Sequence, residues 1–128
     1  MMFSIIIFLI TAAGISMAVM DKLQFHYLRS DFSLLRNQQF WNPELSWVNK
    51  YKLGSMTEPK FFLSTSWLVG FTDGWHLFKM IFHVTFIAGF VLIGFQAKDW
   101  QHLIVFTALA RIHYGLIFTI YFKYILEK

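Results

Sequence analysis

The chain opens on an unbroken apolar run, MMFSIIIFLITAAGISMAVM, in which no residue from Met1 to Met20 carries a charge. About 20 such residues at about 1.5 Å each cross a hydrocarbon core of roughly 30 Å. The run predicts a first membrane-spanning helix, continuing into more polar sequence to about residue 28. No Lys or Arg precedes it, and it is long for the apolar part of a signal peptide, so it is expected to be retained. Ala12, Ala13, Gly14, Ser16 and Ala18 are small enough for close helix–helix approach.

The pattern then changes. Asp21 to Thr72 is the one long polar stretch, yet it carries Phe25, Tyr27, Phe32, Phe40, Trp41, Trp47, Tyr51, Phe61, Phe62 and Trp67. A free linker is not this aromatic. Residues 29–71 therefore predict a segment lying on or dipping into a membrane interface, where Trp and Tyr rings are favoured. Asn42-Pro43 predicts a turn or helix start, and Gly54 to Pro59 a second break. Lys60 to Phe71 is apolar but too short to span; it reads either as an interfacial helix or as the lower end of the next span.

A second helix is predicted over about 72–95, with Thr72-Asp73 as its N-cap. A short loop with Lys98, Asp99 and Trp100 leads to a third helix over about 102–126. So short a loop makes these two helices antiparallel neighbours. The expected fold is an all-α integral membrane protein: three transmembrane helices, with an aromatic-rich interfacial loop between the first and second, in a single membrane domain.

Composition agrees. The chain has 128 residues, 57% apolar, 20% aromatic and 14% charged. A soluble domain averages about 45–50% apolar and about 25% charged. The absence of cysteine excludes disulfide frameworks, Cys-ligated zinc, iron–sulfur ligation and dithiol redox chemistry. The net charge of +4 is spread along the chain without a basic stripe, so nucleic acid is not an expected partner. Lys22, Arg29, Arg36, Lys50, Lys52 and Lys60 crowd the long loop, against Lys98 in the short one. The positive-inside tendency then puts the N-terminus outside and the long loop and C-terminus in the cytoplasm.

Ionisable groups within membrane helices are costly and mark candidate sites. Asp73, His76 and His83 are spaced by three and seven, and so share one helical face; Lys79 reaches the same stripe. Along the axis His76 and His83 lie about 10.5 Å apart. Metal–nitrogen bonds of about 2.0–2.1 Å therefore forbid one mononuclear centre for both. Asp73 and His76 can share a divalent metal with Asp21 or His26, or act as acid and base with Lys79. His83 and His113 fall at matched depth and permit haem ligation, although two histidines alone make this the weaker reading. Arg111 keeps its proton and needs an anion, from lipid, ligand or partner; Lys79 is a second cation for such a ligand. The plain alternatives are that Asp73 only caps its helix, that Lys79 snorkels, that His26 and His102 are solvated, and that His76 and His83 bond between helices.

No phosphate loop, HExxH or nucleophile elbow is present. The leading expectation is an accessory or assembly subunit of a larger membrane complex, bound to lipid and to a protein partner or to further copies of itself. The alternative is a small membrane metalloenzyme, or a metal- or lipid-headgroup-binding protein, using Asp73 and His76 at the inner leaflet. A haem or proton-handling subunit and a holin-like pore former follow, the long loop fitting the last poorly.

Overall fold

A computed structural model describes residues 1–127 of the chain. Five α-helices account for most of it: α1 (Met2–Phe25), α2 (Gln38–Trp41), α3 (Pro43–Ser46), α4 (Gly74–Gln96) and α5 (Trp100–Ile120). Among the described residues α1, α4 and α5, the last extended through Ile125, are long and apolar enough to cross a membrane. Past Ile120 the helix widens into a π-helical turn, Tyr121–Ile125. Both α4 and α5 start where an aspartate accepts the backbone N–H three residues on: Asp73 from His76 and Asp99 from His102. This satisfies a donor that the first turn otherwise leaves unpaired.

The arrangement departs from the expected pairing of the second and third helices. They run antiparallel, as the short loop requires, but each packs chiefly on α1, which lies between them. Burial shows the same order: 39% of the α1 span is buried, against 11% for α4 and 6% for α5. Direct contact between α4 and α5 includes the Tyr114 ring near Phe82 and Phe86, at 6.4 and 6.0 Å between centroids. Small residues on α1 explain its central place. A Cβ on Gly14 would sit 3.0 Å from Ile117 Cγ2 and 3.1 Å from the Tyr114 carbonyl oxygen on α5. One on Gly89 of α4 would sit 2.8 Å from Ile10 Cδ1. Ile6, Ile10, Ile93 and Ala110 form one core cluster toward the α4–α5 hairpin, and Val19, Leu23 and Phe32 another at the opposite end.

The long intervening segment is a chain of short helical turns folded against that opposite end. Phe32 stacks on Trp41 at 5.1 Å, and Trp41 covers Gly74, where a Cβ would lie 2.7 Å from the indole. Asn42 caps α3, its side chain accepting from the Glu44 N–H ahead of a Pro43 suited to the first helical position. Asn49 Nδ2 donates to the carbonyls of Gln39 (2.6 Å) and Thr72 (2.9 Å), tying the segment to the start of α4. Residues 60–71 neither form an α-helix nor join α4: they are turns ending in a 3₁₀ turn at Val69–Phe71. Asp73 is extended there (φ −158°, ψ 163°), which breaks the helix before α4 begins.

Enlarging Gly14 tests the central place of α1. Gly14→Leu should lower stability by about 1–3 kcal/mol or more, the usual range for overpacking against neighbours that cannot yield. Gly94, with nothing within 4 Å of an added Cβ, serves as control, and Gly94→Leu should be close to neutral. Thermal unfolding of both variants in detergent checks the contrast.

Candidate functional site at the start of α4

Asp73 is a single extended residue between the 3₁₀ turn and α4, and it faces inward, its side chain 4% exposed. One carboxylate oxygen accepts the His76 backbone N–H at 2.9 Å. The other accepts His76 Nδ1–H at 2.7 Å and the Thr72 hydroxyl at 3.1 Å. Burial alone would raise the Asp73 carboxyl. The His76 ring and backbone bonds, with the Thr72 hydroxyl, outweigh it and hold the group below its ordinary value. A carboxylate bound to Nδ1 places the proton on that nitrogen and leaves Nε2 free.

His76 and Asp73 line a recess of about 220 Å³ with Gln24 of α1, Pro43 and Ser46 of α3, Trp47 and Trp75. Ser46 is 4% exposed. Lys79 Nζ lies 4.8 Å from the Trp75 ring centroid. The Trp75 indole N–H is buried without an acceptor.

The other expected residues are dispersed. Among the described residues no three His, Asp or Glu side chains are grouped to hold a metal ion. Neither Asp21 nor His26 joins Asp73 and His76: His26 is exposed and sits edge-on to Phe122 at 5.4 Å. His83 is exposed on α4 beside Phe82. His113 turns toward α1, where its Nε2 bonds Thr11 Oγ1 at 2.8 Å, and it lines a different, apolar cleft between α1, α4 and α5. Arg111 is exposed on α5, 5.4 Å from the Tyr114 ring, and pairs with no carboxylate among the described residues.

Three residues escaped the sequence reading. Lys22 is 2% exposed and pairs with Glu127 Oε2 at 3.1 Å, its ammonium also 4.3 Å from the Phe122 ring. Glu127 bridges to Ser30 through its backbone, so the C-terminal end closes over α1. The available signal was an acid just past the third apolar run, at the same end as Lys22. Ser46 gave none, lying in an NPELSW string that matches no motif with a known mechanism.

In comparisons with known proteins, no family model matches the chain, and neither a curated protein nor a solved structure is significantly similar to it.

Two predictions follow from these contacts. Glu127→Gln strands the Lys22 ammonium. Because Glu127 is 46% exposed, the cost should fall below the roughly 3–5 kcal/mol of a fully buried pair, at about 1–2 kcal/mol. Lys22→Met with Glu127→Gln should recover most of it, in a double-mutant cycle of unfolding in detergent. The second prediction concerns pH. The folded Asp73 carboxyl titrates below its unfolded value of about 3.9, so its contribution is full above that pH. It is lost as pH falls through the lowered folded value. Thermal stability should drop as pH falls below about 4, and Asp73→Asn should shrink that drop while costing about 1 kcal/mol at neutral pH.

Proposed function

We propose that this chain is a three-span membrane protein serving as an accessory subunit of a larger membrane complex, and that α5 is the face it offers to its partner. The observation that carries the reading is Arg111, exposed and without a carboxylate on the most exposed of the three long helices. With α5 across a bilayer, Arg111 lies about 16 Å along the axis from Trp100, near the middle of a hydrocarbon core of roughly 30 Å. A guanidinium does not shed its proton there. Phosphate headgroups are half a bilayer away.

The occupant is a transmembrane helix of a different protein carrying Asp or Glu at matching depth. A second copy does not supply that charge. Of the seven acidic residues only Asp21 lies within a candidate span, and it sits near the far end of α1 from the hairpin. Two copies packed through α5 would bring two guanidinium groups together instead. Gly115, whose added Cβ would be 3.3 Å from the Arg111 side chain, keeps room beside the cation. In this arrangement the N-terminus lies outside, and the long segment and C-terminus lie inside, where their Lys and Arg face anionic lipid.

A photo-crosslinking residue at Ile112 or Leu116, both exposed on α5, tests the reading in native membranes. The expected adduct is a transmembrane peptide of another chain containing Asp or Glu. Arg111→Leu should cut its yield at least tenfold, about 1.4 kcal/mol, without preventing insertion. Arg111→Glu combined with Arg at the partner's acid should restore it. Adducts with lipid only, with a second copy, or with a peptide lacking an acid would overturn the proposal.

A further inference from the structure

The recess beside α4 holds more than a helix cap. We propose that it is a catalytic site for cleaving a carboxylic ester of an anionic membrane lipid, with Ser46 as nucleophile, His76 as general base and Asp73 as the residue that orients the imidazole. The proposal rests on the membrane reading of the three long helices, but not on any partner for α5.

Four observations converge. First, Asp73 holds His76 through Nδ1 at 2.7 Å, which leaves Nε2 as the proton acceptor. Second, Ser46 is 4% exposed and lines the same recess. The hydroxyls of Ser30, Ser33 and Ser64 donate to backbone carbonyls, whereas Ser46 engages no protein hydrogen bond through its hydroxyl among the described residues. A hydroxyl without a protein partner, on a residue that shares a recess with an oriented imidazole, has the components that nucleophilic acyl transfer requires. No hydrogen bond joins Ser46 to His76 here; such bonds commonly tighten only around substrate. Third, Trp75, which lines the recess, carries a buried indole N–H with no acceptor, an unpaired donor that costs free energy until something accepts from it. Fourth, the walls are Pro43, Trp47 and Trp75, and the Lys79 ammonium lies against Trp75. This recess is where α1 leaves and α4 enters the bilayer, so its aromatic walls meet the headgroup layer and Lys79 attracts an anionic head.

The half-reactions balance. Ser46 Oγ attacks the ester carbonyl carbon while His76 Nε2 takes the hydroxyl proton. The bond from the carbonyl to the lipid alkoxide breaks, and Nε2 returns the proton to that alkoxide. Water then attacks the acyl–Ser46 ester, giving its proton to Nε2. The carboxylic acid leaves as Ser46 Oγ is reprotonated.

The test uses the purified full chain in detergent and in vesicles of phosphatidylglycerol or phosphatidylcholine. A fluorophosphonate probe should attach to Ser46, as located by peptide mass spectrometry. Fatty acid release should be at least tenfold faster from the anionic vesicles. Ser46→Ala, which leaves the α4 cap untouched, should abolish both signals. His76→Asn should lower release about 10²–10⁴-fold, the usual worth of a general base. The pH profile of wild-type release should have a limb that is absent from His76→Asn. No adduct at Ser46 together with release unaffected by Ser46→Ala would overturn the proposal. So would binding of anionic vesicles with no release, which would make the recess a headgroup-binding site only.

Discussion

The whole chain is organised by the close approach of α1 to both of its long neighbours. Between helices in lipid there is no hydrophobic driving force, so association depends on packing distance and on polar contacts. Gly14 and Gly89 give that distance: a Cβ at either would press on Ile117 and the Tyr114 carbonyl, or on Ile10. With α1 in the middle, α4 and α5 each spend one face on it and leave the other open. This sorts the polar residues into two populations. Those that face α1 or the end of the bundle are paired, as Thr11 is with His113 and Lys22 with Glu127. Those on the open faces, His83 and Arg111, have no charged partner among the described residues.

The three long helices and the hairpin between the last two are legible because each depends on a local property, the length of an apolar run or of a loop. The central place of α1 is not, since a short loop fixes only direction and proximity at one end. The Asp73 cap is legible for the same local reason. The stripe of Asp73, His76 and His83 holds in azimuth, because seven residues nearly close two turns, but azimuth is not burial. His76 is half-buried because α3 and Trp47 fold over that end of α4, whereas His83 is exposed. The metal reading of Asp73, His76, Asp21 and His26 needed α1 to turn its polar end toward α4. Instead it turns Lys22 toward the C-terminal end, a contact across 105 positions that no periodicity encodes. Ser46 was invisible for a similar reason: its neighbours in sequence say nothing of the recess it enters.

One comparison within the molecule separates local chemistry from tertiary context. The pattern Asp-x-x-His opens both α4 and α5, as Asp73-Gly-Trp-His76 and Asp99-Trp-Gln-His102. The two caps nearly superimpose in their distances: backbone N–H to carboxylate 2.9 and 2.8 Å, Nδ1 to carboxylate 2.7 and 2.9 Å. Each carboxyl is held below its ordinary value; at Asp99 the His102 backbone N–H is the largest cause, with the ring second. The surroundings differ. Asp99 and His102 are 48% and 49% exposed, so water competes for every lone pair and the ring is free to turn away. Asp73 is almost fully enclosed, and in a low-dielectric setting the same hydrogen bond is stronger and its loss more costly. The exposed pair therefore starts a helix and does little else. In the enclosed pair the same four residues also fix a tautomer and a ring orientation, and the nitrogen left over belongs to the imidazole that lines a recess with an unbonded serine hydroxyl.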